Sequence, residues 1–137
     1  MIFTSGATEA LNLAIIGSGR KRLAVSAIEH AAVLDTARFV DPNVAVLPVD
    51  AAGLVDPDVA IPDGTGLVAV MQVSNEIGTV QPVDALAQRA RATGALFVCD
   101  AVQGAGKLAA PANADMIAVS SHKLYGPKGI GALWVRD

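Results

Sequence analysis

Short apolar, β-branched runs alternate along the chain with segments in which apolar residues recur at helical spacing. Such alternation is typical of βαβ units, in which helices cover both faces of a mostly parallel sheet. The pattern therefore predicts the α/β class and a three-layer α/β/α arrangement. The seven predicted strands lie near residues 2–4, 23–26, 44–49, 67–73, 96–99, 116–119 and 130–135.

The apolar content of the strands predicts their places in the sheet. Several runs, such as residues 67–71, are apolar without alternation, as expected of central strands that are buried on both faces. The last two strands are separated by a ten-residue connection that contains Pro127. Because this connection is too short for a helical crossover, the last strand is expected to run antiparallel to the one before it.

Three segments have the period of amphipathic helices. They cover about residues 7–16, 30–40 and 83–93. The third is the clearest, because Val83, Leu86, Ala87 and Ala90 recur at i, i+3, i+4 and i+7. Ser5 is the expected N-cap of the first helix, and residues 57–66 are expected to form an irregular crossing.

Length, composition and charge narrow the class of protein. A chain of 137 residues, 53% of them hydrophobic and 17% charged, is expected to form one globular domain over residues 1–137. The net charge of −3 and the lack of long basic runs argue against nucleic-acid binding. Cys99 is the only cysteine, so neither a disulfide nor a zinc site is expected, and a reducing cytoplasmic setting fits. No apolar stretch is long enough to predict a membrane span.

Candidate functional residues follow the predicted strands, where ligands bind in open α/β sheets. After the first strand, a small-residue turn with Ala7 and Thr8 leads into a helix N-terminus, which favours a phosphate. His30 follows the second strand and Asn75 follows the fourth. Taken singly, each of these has an ordinary structural explanation as a cap or a turn.

The fifth and sixth strands are followed by more distinctive groups. Asp100 emerges from an apolar run, with Gln103 three residues on, and a carboxylate there needs a positive partner or hydrogen bonds. Lys123 lies beside His122, and a desolvated amine at that point is a candidate Schiff-base nucleophile. A lysine, a carboxylate and a phosphate-type turn at one sheet edge together match the requirements of pyridoxal phosphate.

Five sequence blocks carry a resemblance to a known family. They are Thr4-Ser5-Gly6-Ala7-Thr8-Glu9-Ala10, Glu29-His30-x-x-Val33, Asn75-Glu76-Ile77-Gly78, Asp100-Ala101-Val102-Gln103 with Gly106-Lys107, and Ser121-His122-Lys123-Leu124-Tyr125-Gly126-Pro127-Lys128-Gly129-Ile130-Gly131-Ala132-Leu133. In order and spacing they resemble the cysteine desulfurases of the class V aminotransferase group, which are fold-type I pyridoxal-phosphate enzymes. The resemblance covers essentially the whole chain and implies the large domain of such an enzyme.

The resemblance also implies a role for each matching residue. Lys123 would form the Schiff base and move protons, Asp100 would pair with the pyridinium nitrogen, and Gln103 would bind the ring hydroxyl. His30 would stack on the ring and take part in catalysis, and Asn75 would orient substrate and cofactor. The phosphate would be held by Ala7, Thr8, Ser120 and His122. The implied reaction converts L-cysteine to L-alanine and passes the sulfur to an enzyme persulfide, for iron–sulfur cluster or thio-cofactor synthesis.

Parts of the family pattern have no counterpart in the sequence. The family's nucleophilic cysteine lies far downstream of the lysine. We therefore expect this chain to be a large-domain fragment without the N-terminal segment and small C-terminal domain, and to be inactive alone. Cys99 is expected to lie in the core, on the opposite face from Asp100. The full-length protein is expected to be a homodimer that delivers sulfur to an acceptor or scaffold protein. Alternative interpretations are a selenocysteine lyase, a small-substrate transaminase, or a non-catalytic truncated domain.

Overall fold

A mixed sheet of seven strands organises the computed structural model, which describes residues 1–137. The strands are β1 (Ile2–Thr4), β2 (Leu23–Ser26), β3 (Ala45–Leu47), β4 (Leu67–Met71), β5 (Leu96–Asp100), β6 (Met116–Ser120) and β7 (Gly131–Val135). The helices are α1 (Ala7–Gly17), α2 (Ala31–Val40) and α3 (Val83–Ala92), and a single 3₁₀ turn covers Ser121–Lys123. None of the helices has the length and apolar character that crossing a membrane requires.

The order of the strands across the sheet is β1-β7-β6-β5-β4-β2-β3. Strand β7 is antiparallel to both of its neighbours, β1 and β6, whereas the other pairings are parallel. The α/β class and the antiparallel last strand are therefore confirmed. The parallel register sets Met71, the last residue of β4, opposite Asp100, the last residue of β5.

Helices cover the two faces of the sheet and form two apolar cores. The buried side chains of α1 and α2 pack on one face, against residues such as Val25 and Val98. The buried face of α3 packs on the other, against Phe97 and Cys99. Every residue of β2 and β4 is buried, as predicted for central strands. The four apolar residues that define the period of α3 are all buried as well.

The start of α1 differs from the prediction. Gly6, not Ser5, occupies the N-cap position, and no side chain caps the helix. The backbone N–H and hydroxyl of Ser5 both donate to the Glu9 carboxylate, at 2.6 Å each. These two hydrogen bonds lower the pKa of Glu9. Ser5 lies one residue too early to reach the first helical N–H groups, so these groups stay free of side-chain partners.

Several strand ends also differ from the predicted bounds. Val49 and Val73 fall outside β3 and β4, because each forms only an isolated bridge, with Val55 and Val80 respectively. Strands β5 and β6 each extend one residue further than predicted, to Asp100 and Ser120. Both of these polar residues therefore occupy the last position of a strand. The segment 57–66 contains no helix or strand, as predicted.

We predict that the α3 core contributes strongly to stability. Leu86 is 1% exposed, and Leu86→Ala should lower the free energy of unfolding by about 2–5 kcal/mol, through lost apolar burial and the cavity left behind. The matched change Leu13→Ala, at a helix position that is 40% exposed, should cost under about 1 kcal/mol. Urea unfolding of the two variants measures the difference. Equal losses would contradict the assignment of α3 to the core.

Candidate cofactor site

A cleft of about 400 Å³ lies beyond the carboxyl ends of the parallel strands. It is lined by residues that follow or end β1, β2, β4, β5 and β6, so five separate parts of the chain meet there. All nine candidate site residues line it, namely Ala7, Thr8, His30, Asn75, Asp100, Gln103, Ser120, His122 and Lys123. The structure thus brings the candidates into a single site, although they are spread over more than a hundred residues of sequence.

The N-terminus of α1 forms one wall of the cleft. The first backbone hydrogen bond of the helix runs from the Ala10 N–H to the Gly6 carbonyl, at 3.1 Å. The preceding N–H groups, including those of Ala7 and Thr8, have no partner within the helix, and the helix dipole adds positive potential there. This wall is therefore suited to an anionic group.

Close packing against β7 holds the N-terminus of α1 in place. Gly131 begins β7, and a Cβ atom added to it would lie 2.6 Å from the Gly6 backbone and 2.8 Å from the Thr4 hydroxyl. Only a residue without a side chain allows the two segments to approach so closely. The turn between β1 and α1 is thus fixed by contact with a strand that follows it by more than a hundred residues.

Ser120 and His122 add polar side chains to the same cleft. The Ser120 hydroxyl lies 2.8 Å from Nδ1 of His122. Ser120 is buried at the end of β6, whereas His122 is exposed in the 3₁₀ turn. Together with the free N–H groups of α1, this pair offers hydrogen bonds to an anion such as a phosphate.

Asp100 is the carboxylate that lines the cleft. It is 8% exposed, and its Oδ1 accepts a hydrogen bond from the Val102 N–H at 3.0 Å. Burial raises the pKa of Asp100, while that hydrogen bond and the nearby His30 imidazole lower it in part. No lysine or arginine forms an ion pair with it. The carboxylate therefore has no ion-pair partner within the chain and retains capacity to stabilise a cationic ligand atom.

His30 is held in place by its role as the N-cap of α2. Its Nδ1 accepts a hydrogen bond from the Ala32 N–H at 3.1 Å. A neutral ring that accepts at Nδ1 carries its proton on Nε2. The cap thus fixes both the ring position and the tautomer, and two explanations of His30, as a cap and as a site residue, hold at once.

Lys123 departs from one expectation. Its side chain is exposed at the cleft and forms no ion pair, so the expected desolvation of the amine was wrong. The cause is local, since residues 122–130 are all exposed in a glycine- and proline-containing loop. Within this loop Tyr125 has φ +60°, a left-handed conformation that is unusual for an aromatic residue. The Lys123 amine is accessible to a ligand.

Some residues of the cleft were not among the sequence candidates. Lys128 lines it as a second exposed lysine, and its place in the Gly126-Pro127-Lys128-Gly129 turn was the available signal. Met71 also lines the cleft, at the end of β4 opposite Asp100. An apolar residue inside a buried strand carries no sequence signal for a site.

Cys99 lies outside the cleft. It is fully buried in the core beneath α3, and burial raises the pKa of its thiol well above the ordinary value. The prediction that Cys99 belongs to the core is confirmed.

Comparison with known proteins identifies the family to which this chain is similar. The family model described as aminotransferase class-V matches residues 1–137. A similar curated protein is the cysteine desulfurase IscS of Anaeromyxobacter sp. (strain Fw109-5), which is 42% identical over 99% of this chain. The alignment covers 37% of that relative, so the chain spans little more than a third of its length.

Solved structures with the same fold include two that bear on the site. One, described as SspA in complex with cysteine, has a TM-score of 0.89 and is 39% identical, covering 99% of this chain and 44% of the other. Another, the cysteine desulfurase CsdA from Escherichia coli, has a TM-score of 0.88 and is 30% identical, covering 98% of this chain and 38% of the other.

The buried Asp100 should leave a signature in the pH dependence of stability. Because its folded-state pKa is raised, its stabilising contribution is complete below the ordinary value of 3.8 and is lost as the pH rises through the folded-state value. Asp100→Asn cannot ionise, so its free energy of unfolding should exceed that of the wild type by an amount that grows as the pH rises above 3.8.

Denaturant unfolding between pH 4 and pH 7 measures this difference. Asp63→Asn, at an exposed aspartate, is the matched control and should show no such growth. If the free energy of unfolding of the wild type rose relative to that of Asp100→Asn as the pH increased, the raised pKa described for Asp100 would be contradicted.

Proposed function

Because the chain belongs to the class-V aminotransferase family, we propose that it is the cofactor-binding part of a pyridoxal-phosphate-dependent cysteine desulfurase. The observation that carries the proposal is the meeting of a buried carboxylate, an accessible lysine and a free helix N-terminus in one cleft. The similar proteins named as cysteine desulfurases support the choice of activity within the family.

The residues present fit this cofactor. Pyridoxal phosphate supplies an electron-withdrawing ring that makes the α-proton of an attached amino acid acidic. Asp100 would hold the ring nitrogen, because it is the carboxylate of the cleft and has spare hydrogen-bonding capacity. A unit charge pair at about 4 Å gains roughly 4 kcal/mol at an effective dielectric near 20, before desolvation is counted. Gln103 would hydrogen-bond to the ring hydroxyl from the turn that follows Asp100.

The phosphate would bind between α1 and β6. The free N–H groups of Ala7 and Thr8 donate from one side, and the Ser120–His122 pair donates from the other. A dianion at this position would also gain from the positive end of the α1 dipole. Positioning by several donors at once holds the group more firmly than a single lysine would.

Lys123, His30 and Asn75 would act on the reacting end of the site. Lys123 would attach the cofactor covalently through its Nζ and then carry protons to and from the substrate carbon. His30, fixed by its capping bond to the Ala32 N–H, would cover one face of the ring. Asn75, exposed in the turn after β4, would orient the substrate.

For the whole protein we propose L-cysteine as substrate and L-alanine as product. The C–S bond of the substrate breaks, and the sulfur joins an enzyme thiol to form a persulfide that is passed to an acceptor or scaffold protein. We also propose a homodimer in the cytoplasm, a reducing setting that suits a persulfide carrier. Iron–sulfur cluster or thio-cofactor synthesis is the proposed use of the sulfur.

Covalent cofactor binding should depend on Lys123. Titrating the chain with pyridoxal phosphate should produce a visible absorbance band, which Lys123→Ala should abolish because no amine remains at that position. Lys21→Ala, at an exposed lysine outside the cleft, is the matched control and should retain the band. Borohydride reduction followed by peptide mass analysis locates the modified residue. A band of equal intensity in Lys123→Ala would remove that lysine from its proposed role.

Cys99 should have no part in sulfur transfer. A thiol with a raised pKa in a closed core offers neither the thiolate nor the access that attack on sulfur needs. With pyridoxal phosphate, L-cysteine and a reductant present, Cys99→Ala should bind cofactor as the wild-type chain does and should release no less alanine or sulfide than the wild-type chain. Alanine formation that is present in the wild type and absent in Cys99→Ala would contradict this assignment.

A further inference from the structure

Glu29 is a buried glutamate that the proposed function does not use. It is 6% exposed and lies between the end of β2 and the end of β4. Its Oε1 accepts hydrogen bonds from the Ser26 hydroxyl and, at 2.7 Å, from the Met71 N–H. Its Oε2 is the one buried side-chain nitrogen or oxygen atom of the chain without a hydrogen-bond partner.

We propose that Glu29 is a positioning residue of the cleft, acting as a neutral carboxylic acid that ties β2 to β4 and thereby sets His30 and Met71 around Asp100. His30 is the next residue in the chain. Met71 donates its backbone N–H to Glu29 and also lines the cleft. Since Met71 and Asp100 are register partners, the hydrogen bond from β4 to Glu29 lies beside the last residue of β5, Asp100.

The surroundings of Glu29 favour the neutral form. Asp100 and Cys99, both on β5, are the titratable groups whose charge is coupled to it, His30 is its neighbour in the chain, and no lysine or arginine forms an ion pair with it. Burial, aided by the charge of Asp100 and opposed by the hydrogen bonds from Ser26 and Met71, raises the pKa of Glu29 to about 8.

Asp100 and Glu29 are thereby assigned different protonation states. A carboxylate can pair with a cationic ring atom, whereas a second buried negative charge nearby would oppose ionisation of Asp100 and destabilise the fold. A protonated Glu29 keeps the same hydrogen-bonding shape without the charge. The benefit of a neutral Glu29 for cofactor binding rests on the proposed function. The protonation state of Glu29 can be tested without cofactor.

The first test measures stability against pH in the cofactor-free chain. A raised folded-state pKa gives a contribution that is complete below 4.5 and is lost as the pH rises to about 8. Glu29→Gln is neutral at every pH, so the difference in melting temperature between Glu29→Gln and wild type should shift in favour of the variant across this range. Glu76→Gln, at an exposed glutamate, should show no shift. A difference that stays flat for Glu29→Gln would overturn the neutral assignment.

The second test measures position. The chain has two histidines, so the imidazole resonances of His30 can be followed by NMR with those of His122 as internal reference. Glu29→Ala should displace the His30 resonances and leave those of His122 in place, whereas Glu29→Gln should leave both unchanged. Unchanged His30 resonances in Glu29→Ala, or equal displacement in the two variants, would overturn the positioning role.

The third test links the tie to the cofactor. Pyridoxal phosphate affinity, read from the absorbance titration, should stay within about twofold in Glu29→Gln and fall about tenfold or more in Glu29→Ala, where the buried hydrogen bonds are lost. Equal losses in both variants would overturn the inference. Absence of any band in the wild type would instead refute the proposed function, while the stability and NMR results still decide the state and position of Glu29.

Discussion

Burial of a carboxylate at the end of a central strand is the constraint around which the cleft is built. Asp100 leaves solvent because β5 lies between β4 and β6 in the middle of the sheet. An isolated charge there is costly, so the surroundings supply a backbone N–H from Val102 and an imidazole from His30. These contacts reduce the cost only in part, as the raised pKa of Asp100 shows. A site that remains short of positive charge is one that gains free energy when a cationic ligand atom binds.

Asp100 and Glu29 illustrate how one interior can hold two carboxyl groups in different states. Asp100 is the stronger acid and ionises first, so its charge opposes ionisation of Glu29. Glu29 is neutral over the range in which Asp100 titrates, and it therefore exerts little effect in return. The distinction comes from their neighbours, because the His30 imidazole lowers the pKa of Asp100 whereas the charge of Asp100 raises that of Glu29. The two groups can then divide the work, one facing a ligand and the other holding the strands that support it.

The sheet topology explains why the anion-binding wall is well placed. Strand β7 enters antiparallel between β1 and β6, and its first residue, Gly131, packs against the turn at Gly6. The N-terminus of α1 is thereby brought next to Ser120, which ends β6. The loop that joins β6 to β7 carries Lys123 and stays exposed along its length. The cleft thus combines a rigid wall for an anion with an accessible amine on a short, open loop.

The strands, the helices and the candidate site residues could be predicted from the sequence, because the patterns that mark them are local and periodic. Apolar runs marked the strands, the i, i+3, i+4, i+7 spacing marked α3, and the short connection before β7 required an antiparallel strand. Polar residues that follow strands share one edge in a parallel sheet, so the nine candidates could be expected to converge.

Tertiary structure decided the features that depend on residues distant in the sequence. The turn at Gly6 is fixed by its close approach to Gly131 of β7, and Glu29 became a buried tie because β4 supplied the Met71 N–H. Burial and protonation are set by every element packed around a group, and no local pattern of residues specifies that environment.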